Sequence, residues 1–357
     1  MVSSWHDRSV FVTGHTGFKG SWLSLWLNKL GAKVHGYALD PKAEPSLFEA
    51  TRIASLLASD TRADLADLGQ LSASLERARP EVVFHLAAQP LVRESYQDPL
   101  GTFATNVMGT ANLLEASRGI DSVRAIVVIT TDKVYLNDES GRLYREDDAL
   151  GGRDPYSASK AAAELVASSY RSSFFADQVG PYIATARAGN VIGGGDWALD
   201  RLVPDCLRSF AVGAPVCLRY PAAIRPWQHV LEPLSGYLSL AEHLLSPEGE
   251  AYAQAWNFGP DLADNTCVGD IALALARMWG EGARVEFRPS PENPHEAGLL
   301  RLDSGRARLL LAWEPRWPLI RVLQETVAWQ RRWIEGADMR SVCESQIDRY
   351  EAGRSDD

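Results

Sequence analysis

The chain has 357 residues, of which 46% are hydrophobic and 23% are charged, and its formal net charge is −10 at pH 7. This length allows one large domain or two closely associated ones. The acidic balance argues against nonspecific binding to nucleic acid or anionic membrane, so an anionic ligand needs a local basic or N–H-rich site. The cysteines, at 206, 217, 267 and 343, lack metal-ligand spacing, and we predict no metal. The lack of a long apolar span and of a signal-like start predicts a cytoplasmic protein.

The first two thirds of the chain alternate between strand-like and helix-like segments. The predicted strands are 9–14, 33–40, 81–88, 125–131 and 182–191, and the predicted helices are 21–31, 67–79, 99–119 and 155–175. Such alternation is typical of right-handed βαβ units. We therefore predict an α/β fold with a Rossmann-like, doubly wound parallel sheet. The run Ile126 to Ile129 has no period-2 alternation, which indicates a strand buried on both faces.

The pattern changes near residue 190, where a Gly-Gly-Gly sequence is followed by a proline-rich segment. We predict a nucleotide-binding domain over 1–189 and a smaller, mixed α/β domain over 190–357. The second domain is expected to cover the carboxyl ends of the strands, where open α/β sheets bind ligands. One strand near 254–260 is expected to return to the main sheet, and the tail 351–357 is expected to be disordered.

A glycine-rich loop follows the first predicted strand. Thr13 to Gly20 reads TGHTGFKG, with glycines at 14, 17 and 20. The first glycine permits a tight turn, the second lets backbone approach a pyrophosphate, and the third allows close packing of helix on strand. The following helix N-terminus offers N–H groups and a positive dipole end to phosphates. Between a strand and an apolar helix, this loop predicts a dinucleotide site.

The ends of the next two strands carry further candidates for this site. Asp40, 20 residues beyond Gly20, can accept both ribose hydroxyls and repel a 2′-phosphate, which favours NAD over NADP, although Lys42 is nearby. Asp64 can accept from the adenine amine, but an Asp here is equally explained as a helix cap. The small residues of HLAAQP (85–90) leave room for a cofactor against backbone.

Tyr156 and Lys160 stand four residues apart at the start of a predicted helix, so both side chains lie on one face. A phenol with a pKa near 10 is a poor base at neutral pH unless a cation stabilises its anion. Lys160 can supply that charge and bind a ribose. The pair is common by chance, but beside a dinucleotide loop it predicts a catalytic site.

The buried strand at 125–131 ends in Thr131, Asp132 and Lys133, without the glycine, asparagine or proline of an ordinary turn. With this strand end, TGxxGxxG and YxxxK, the chain resembles the extended short-chain dehydrogenase/reductase family, and most closely its nucleotide-sugar 4,6-dehydratases. Those enzymes usually carry Thr-Asp-Glu at this position. The Asp-Lys variant, with strings such as GHTGFKGSWL, RAGNVIGGGDWALDRLVPD and IRPWQHVLEPLSGYL, is similar to the members that act on CDP-glucose.

The resemblance implies a reaction at C4, C5 and C6 of a nucleotide hexose, with no net redox change. Tyr156 would take the C4 hydroxyl proton and Thr131 would hydrogen-bond the same oxygen. Elimination of water needs an acid at the C6 oxygen and a base at C5, roles implied for Asp132 and Lys133. A lysine with an unperturbed pKa near 10.4 is protonated, so the alternative is that Lys133 stays charged and stabilises the enolate while Asp132 handles both protons.

Two ligands are implied, NAD and a nucleotide hexose such as CDP-glucose. For the diphosphate and sugar, the resemblance implies Arg93, Ser95, Asn190, Arg201, Arg225 and His295. For NAD, it implies Gly14, Thr16, Gly17, Phe18, Lys19, Asp40, Asp64, Leu65, Leu86, Ala87, Gln89, Asn106, Tyr156 and Lys160.

Two other functions use the same core. A nucleotide-sugar 4-epimerase needs Tyr, Lys and NAD but no acid and base at C5 and C6, and Asp132 and Lys133 argue against it. A non-catalytic NAD-binding regulator would not require Thr131, Tyr156 and Lys160. The resemblance also implies a homodimer or homotetramer in which helices 99–119 and 155–175 pair as a four-helix bundle. Nothing in the residues themselves selects cytosine over other bases.

Overall fold

The computed structural model describes residues 4–42, 44–175, 180–288 and 299–353. The strands are β1 (Ser9–Thr13), β2 (Lys33–Ala38), β3 (Ser59–Arg62), β4 (Val82–His85), β5 (Ala125–Ile129), β6 (Tyr182–Ala188), β7 (Asn190–Ile192), β8 (Pro215–Leu218), β9 (Ile224–His229), β10 (Ala255–Phe258), β11 (Asn265–Cys267) and β12 (Arg284–Phe287). The helices are α1 (Phe18–Lys29), α2 (Leu47–Ala50), α3 (Leu68–Ala78), α4 (Val92–Gln97), α5 (Pro99–Phe103), α6 (Gly109–Arg118), α7 (Pro155–Phe174), α8 (Leu202–Ala211), α9 (Leu231–Leu244), α10 (Gly249–Tyr252), α11 (Val268–Trp279), α12 (Gly305–Leu311), α13 (Leu319–Ile334) and α14 (Met339–Ala352).

Seven parallel strands form the main sheet in the order β3-β2-β1-β4-β5-β6-β10. The chain moves outward from β1 to β3, then returns to the middle and moves outward the other way from β4. The prediction of a doubly wound parallel sheet is therefore confirmed. Strand order reverses between β1 and β4, which is the point where such sheets bind ligands at their carboxyl ends.

Strand register aligns the motifs at one edge of the sheet. Thr13 of β1 pairs with His85 of β4, and His85 pairs with Val128 of β5. The glycine loop, the HLAAQP segment and the Thr-Asp-Lys segment therefore leave the sheet side by side. Sequence-distant motifs meet because parallel strands end at a common edge.

Both faces of the sheet are covered by helices. On one face, Ile126 and Val128 of β5 pack with Leu71 of α3, Leu113 of α6 and Ala167 of α7. The alternate β5 residues Ala125, Val127 and Ile129 join the larger core on the opposite face, which includes residues of α1 and α9. All five residues of β5 are buried, as its apolar run predicts.

Two small sheets follow residue 190: β11-β9-β7 and β12-β8. The strand expected near 254–260 is β10, and it pairs in parallel with β6 as predicted. Helix α9 from this part of the chain packs on β5 and β6, and it shares the larger core with α1. The division of the chain at residues 189 and 190 stays a prediction.

The structure differs from the predicted elements in several places. The strand 182–191 is broken at Gly189, and the helix 99–119 contains one π-helical turn, Ala104–Met108. Helix α14 was not predicted. Strand β3 was not predicted either, because it is polar and has only four residues. Disorder of the tail was wrong for Glu351 and Ala352, which end α14, and residues 354–357 lie outside the described residues. In the described part of the chain, no helix has the length and apolar character needed to cross a membrane.

Candidate active site

The glycine loop between β1 and α1 is packed tightly against β4. Gly14 has φ of +73°, and a Cβ there would lie 2.6 Å from the backbone nitrogen of Ala87. A Cβ on Gly20 would lie 2.1 Å from the Gly14 carbonyl oxygen. Neither position accepts a side chain, so the turn and the close approach of helix to strand depend on both glycines. This geometry agrees with the predicted dinucleotide loop.

The N-terminus of α1 has the properties of a phosphate site. Its N-cap residue is the exposed Gly17, which has no side chain that could cap the first turn. First-turn N–H groups lack partners inside a helix, and the helix dipole favours an anion at this end. The pyrophosphate of a dinucleotide fits this end of α1, beside half-buried Phe18 and Lys19.

The predicted adenosine-side residues surround the ends of β2 and β3. Asp40 is 85% exposed, and its carboxylate lies 3.2 Å from the Arg62 guanidinium. Arg62 is itself held by two hydrogen bonds to Asp60, of 2.7 and 2.8 Å. Asp64 accepts a hydrogen bond from the backbone N–H of Ala66. An Asp with a purely structural role in a turn makes the same hydrogen bond. Of these residues, Asp40 presents an open carboxylate for a ribose.

Several predicted cofactor residues are engaged within the protein. Thr16 donates to the Leu39 carbonyl (2.9 Å), and Leu65 is buried against Gly109. Asn106 accepts from the Gln89 N–H (2.9 Å) and donates to the Gln89 carbonyl. These contacts shape the walls of the crevice. Leu86 and Ala87 lie beside the glycine loop at the end of β4.

The Thr-Asp-Lys segment forms a single 3₁₀ turn, Asp132–Val134, after β5. Thr131 donates to Asp132 Oδ1 (2.9 Å), and the Lys133 ammonium lies 3.7 Å from the same oxygen. Asp132 is 1% exposed, and its Oδ2 has no hydrogen-bond partner in the described residues. A buried carboxylate oxygen without a partner is costly, so this oxygen is suited to a ligand group.

Tyr156 and Lys160 project from the first turns of α7, which begins with Asp154 as its N-cap and Pro155. Burial raises the pKa of Tyr156 to about 12, and a hydrogen bond with Thr131 acts in the opposite direction. Burial lowers the pKa of Lys160 to about 8, against the opposing effect of the Glu164 carboxylate. Tyr156 therefore meets Thr131, and Lys160 meets the Ile129 carbonyl two residues earlier (3.1 Å). The catalytic role of the three residues stays a prediction.

The position of Ser95 corrects the sequence-based prediction. Its side chain is fully buried, donates to the Val92 carbonyl (2.6 Å) and accepts from the Tyr156 backbone N–H (3.1 Å). No face of Ser95 is open to a hexose. Its hydroxyl instead holds the first turn of α7, and with it Tyr156.

A buried network behind Lys160 was missed by the sequence-based reading. Glu164, four residues after Lys160, accepts from Thr130 (2.5 Å), from Thr185 (2.6 Å) and twice from Arg187 (both 2.9 Å). Thr130 directly precedes Thr131, so the network connects α7 with the carboxyl end of β5. The i, i+4 spacing of Lys160 and Glu164 was the available signal.

The predicted substrate residues border the same edge of the sheet. Arg201 donates to Asp196 (2.7 Å), and Asn190 has a buried Oδ1 without a partner in the described residues. Arg93 lies 3.3 Å from Asp200, and Arg225 is buried on β9. His295 lies outside the described residues. Among the described residues, no group of three or more His, Cys, Asp or Glu side chains forms a metal site.

Comparison with known proteins decides the family. Residues 11–326 match the model of the GDP-mannose 4,6 dehydratase family. The chain belongs to this family. It is 50% identical to the CDP-glucose 4,6-dehydratase of Salmonella typhimurium over 350 residues, 97% of both chains. It is 30% identical to the dTDP-glucose 4,6-dehydratase of Streptomyces griseus over 264 residues, 72% of this chain and 75% of that one. The predicted relationship to nucleotide-sugar 4,6-dehydratases is confirmed.

Solved structures support the fold of this dehydratase family member. The UDP-glucose 4-epimerase of Stenotrophomonas maltophila, crystallised with NAD and formylated UDP-arabinopyranose, superposes with a TM-score of 0.79. It is 23% identical and covers 92% of this chain and 100% of its own. At this identity, the likeness concerns the fold alone.

Proposed function

We propose that this chain is a CDP-glucose 4,6-dehydratase that uses NAD and forms CDP-4-keto-6-deoxy-glucose. The observation that carries the proposal is the 50% identity to the Salmonella typhimurium enzyme of that name, over 97% of both chains. Thr131, Asp132, Lys133, Tyr156 and Lys160 lie together at one edge of the sheet, which supports a reaction with several proton transfers.

Tyr156 is the proposed base for the C4 hydroxyl. With a pKa of about 12 in the free protein it does not ionise at neutral pH, so its phenolate needs stabilisation. The Lys160 ammonium and the Thr131 hydroxyl supply it from the same edge of the sheet. Lys160 is held in place by its hydrogen bond to the Ile129 carbonyl (3.1 Å). NAD, which the first turn of α1 and Asp40 would hold, would supply the acceptor for the C4 hydride and the donor of the hydride to C6.

Asp132 and Lys133 are the proposed elimination pair. A ketone at C4 acidifies the C5 hydrogen, and water then leaves as a proton from C5 and a hydroxyl from C6. Asp132 Oδ2 is buried and unpartnered among the described residues, which suits it to donate a proton to the leaving oxygen. Lys133 is 27% exposed and reaches Asp132, so it can act as the C5 base or stabilise the enolate.

A preference for NAD over NADP is part of the proposal. Asp40 at the end of β2 repels a 2′-phosphate, and the cations near it already contact carboxylates, Arg62 that of Asp40 itself (3.2 Å) as well as that of Asp60. Arg62 forms its two short hydrogen bonds with Asp60, and Lys42 lies 3.1 Å from Glu94. Neither cation is therefore available without giving up a carboxylate.

The test is incubation of the protein with NAD and a panel of nucleotide hexoses, followed by mass spectrometry and NMR. Loss of one water from CDP-glucose supports the proposal. Loss of water from another nucleotide hexose would assign a different substrate, a C4 epimer would indicate an epimerase, and unchanged sugars would refute an enzymatic role. The Tyr156→Phe variant controls for a contaminating activity.

Assembly as a homodimer or homotetramer is also proposed. Large apolar side chains are exposed along α5, the π-helical turn and α7, among them Leu100 (82%), Met108 (57%) and Leu165 (61%). Their exposure supports pairing of these helices with a second copy. A cytoplasmic location stays a prediction.

A further inference from the structure

We propose that Lys19 binds the diphosphate of the nucleotide-sugar substrate, while the backbone of the same helix turn binds the cofactor. The inference rests on the proposed function and deepens it. It reassigns Lys19, which the sequence places among cofactor-binding residues, and makes it a determinant of substrate affinity.

The position of the Lys19 side chain is the first argument. Lys19 lies in the first turn of α1, and its ammonium reaches the Tyr237 hydroxyl on α9 (3.5 Å) and lies 5.9 Å from the Tyr237 ring centroid. Within the described residues, no carboxylate lies within ion-pair distance of Lys19. A half-buried ammonium without a counter-ion is unfavourable, which indicates that an anionic ligand completes the site.

The charges around Lys19 are the second argument. It is electrostatically coupled to Arg201, Lys160 and Lys133, and to one carboxylate, that of Asp132. Arg201 is paired with Asp196, and Glu164, which acts on Lys160, is paired with Arg187, so Lys19, Lys160 and Lys133 share Asp132 as their nearby carboxylate. This excess of cations gives a local positive potential in a chain whose net charge is −10. Such a site attracts a doubly charged diphosphate ester.

The identity of these neighbours places the Lys19 ammonium at the predicted catalytic end of the crevice, and none of them belongs to the adenosine side near Asp40 and Asp64. Lys160 is also expected to bind the cofactor ribose, whereas Arg201 is predicted to bind the substrate. The N–H groups of the first turn of α1 are free to hold the cofactor pyrophosphate. The Lys19 side chain instead extends toward α9 and the segment before α8, where Arg201 lies.

Proton linkage gives this role a pH signature. Burial, together with the charges of Arg201, Lys160 and Lys133, lowers the pKa of Lys19 to about 7, although the Asp132 carboxylate acts in the opposite direction. A bound diphosphate favours the charged ammonium and raises its pKa. Between these two pKa values binding takes up a proton, so affinity is highest near pH 6 and falls by up to about tenfold per pH unit above 7.

The experiment titrates CDP-glucose into NAD-saturated protein by calorimetry, in a Tyr156→Phe background that prevents turnover. Lys19→Met is expected to raise the Kd for CDP-glucose by about 10- to 100-fold and to abolish its pH dependence. Lys19→Arg should recover most of the affinity. The Kd for NAD should change by less than about threefold, since backbone groups hold the cofactor. Lys29→Met, at the other end of α1, should change neither value.

Unchanged affinity for CDP-glucose in Lys19→Met would overturn the proposal, and so would an equal or larger loss of NAD affinity. If Lys19→Met does not fold, the Kd for CDP-glucose of the Lys19-containing protein is measured between pH 6 and 9. A Kd that does not change over this range overturns the proposal. If CDP-glucose does not bind even with Lys19 present, the proposed function fails by itself. Inorganic pyrophosphate is then titrated into the NAD-saturated proteins in place of CDP-glucose. Lys19→Met is again expected to weaken binding, and an unchanged affinity for pyrophosphate would overturn the proposal.

Discussion

Glu164 of α7 and Arg187 of β6 form a buried, bidentate ion pair, with both N–O distances 2.9 Å and side chains 3–4% exposed. Arg187 also donates to the Tyr135 hydroxyl (2.9 Å), and Tyr135 follows the Asp132–Val134 turn directly. Thr130 donates to the same Glu164 carboxylate (2.5 Å), so the pair holds the residues on both sides of the segment 131–134 against α7. It therefore positions Thr131 and Lys160 without being placed to touch substrate itself.

Glu164→Gln is expected to lower kcat more than it changes KM, because it loosens the groups that react rather than those that bind. The folded state should lose about 3–5 kcal/mol, since Arg187 is left buried without its counter-charge. Loss of the Glu164 charge also lowers the pKa of Lys160 below about 8 in the free protein. The alkaline limb of the kcat/KM profile should therefore move to lower pH, and stopped assays across pH 6–9 measure this.

The double variant Glu164→Leu/Arg187→Met is the control for stability. It removes both charges and leaves no unpaired buried ion, so its free energy of unfolding should be close to that of the wild type. The alkaline limb of its kcat/KM profile should still lie at lower pH than in the wild type. An alkaline limb that stays at the wild-type pH in both variants would contradict the coupling between Glu164 and Lys160.

Tyr156→Phe should reduce kcat by about 10²–10⁴-fold, because the phenol is the proposed base at the C4 hydroxyl. Thr131→Val removes one hydrogen bond to that phenol, so the pKa of Tyr156 should rise further and the rate should fall. Steady-state rates with CDP-glucose measure both effects. Tyr170→Phe on the same helix is the matched control and should retain wild-type rates; an equal loss there would indicate a structural effect.

Asp132→Asn is expected to separate oxidation from elimination. The C4 oxidation does not require Asp132, so NADH should accumulate in a single turnover while product formation slows. Rapid-scan absorbance follows NADH, and mass spectrometry follows loss of water. A variant that loses both steps equally would refute the assignment of Asp132 to the C6 oxygen.

Lys133→Arg distinguishes the two roles open to this residue. An arginine keeps the charge but cannot act as a base, because its pKa exceeds 12. Incorporation of solvent deuterium at C5, read by NMR of the recovered sugar, is expected to stop if Lys133 is the base. Persistent exchange would make Lys133 an electrostatic group and assign both protons to Asp132.

Leu100→Arg and Leu165→Arg should convert an oligomer to monomer, because each places a charge in the proposed contact between copies of α5 and α7. Light scattering after size-exclusion chromatography gives the mass. Leu309→Arg on α12 is the control, since Leu309 is equally exposed at 82% but lies elsewhere. Monomeric wild-type protein, or monomers formed equally by the control, would contradict the proposed pairing.

The sequence alone was sufficient for local features with strong periodicity or unusual residues. The apolar run of β5, the glycine loop with Gly14 and Gly20, and the Tyr156–Lys160 spacing each carry their own physical reason. Prediction failed for β3, which is short and polar, and for Ser95, whose motif gave no indication that its hydroxyl would hold the Tyr156 N–H. In both cases the outcome depends on packing partners that are distant in sequence.

The sequence by itself determined most of the parallel sheet and the glycine loop of the dinucleotide site, because these follow from local patterns of apolar and glycine residues. The reacting side chains stay a prediction. Only the tertiary structure decided which groups are buried together. Glu164 meets Arg187, and Lys19 meets Tyr237 from 218 residues away, through packing of α7 and α1 against other elements. Burial and charge in such clusters set pKa values, and these properties arise only when distant segments exclude water from one another.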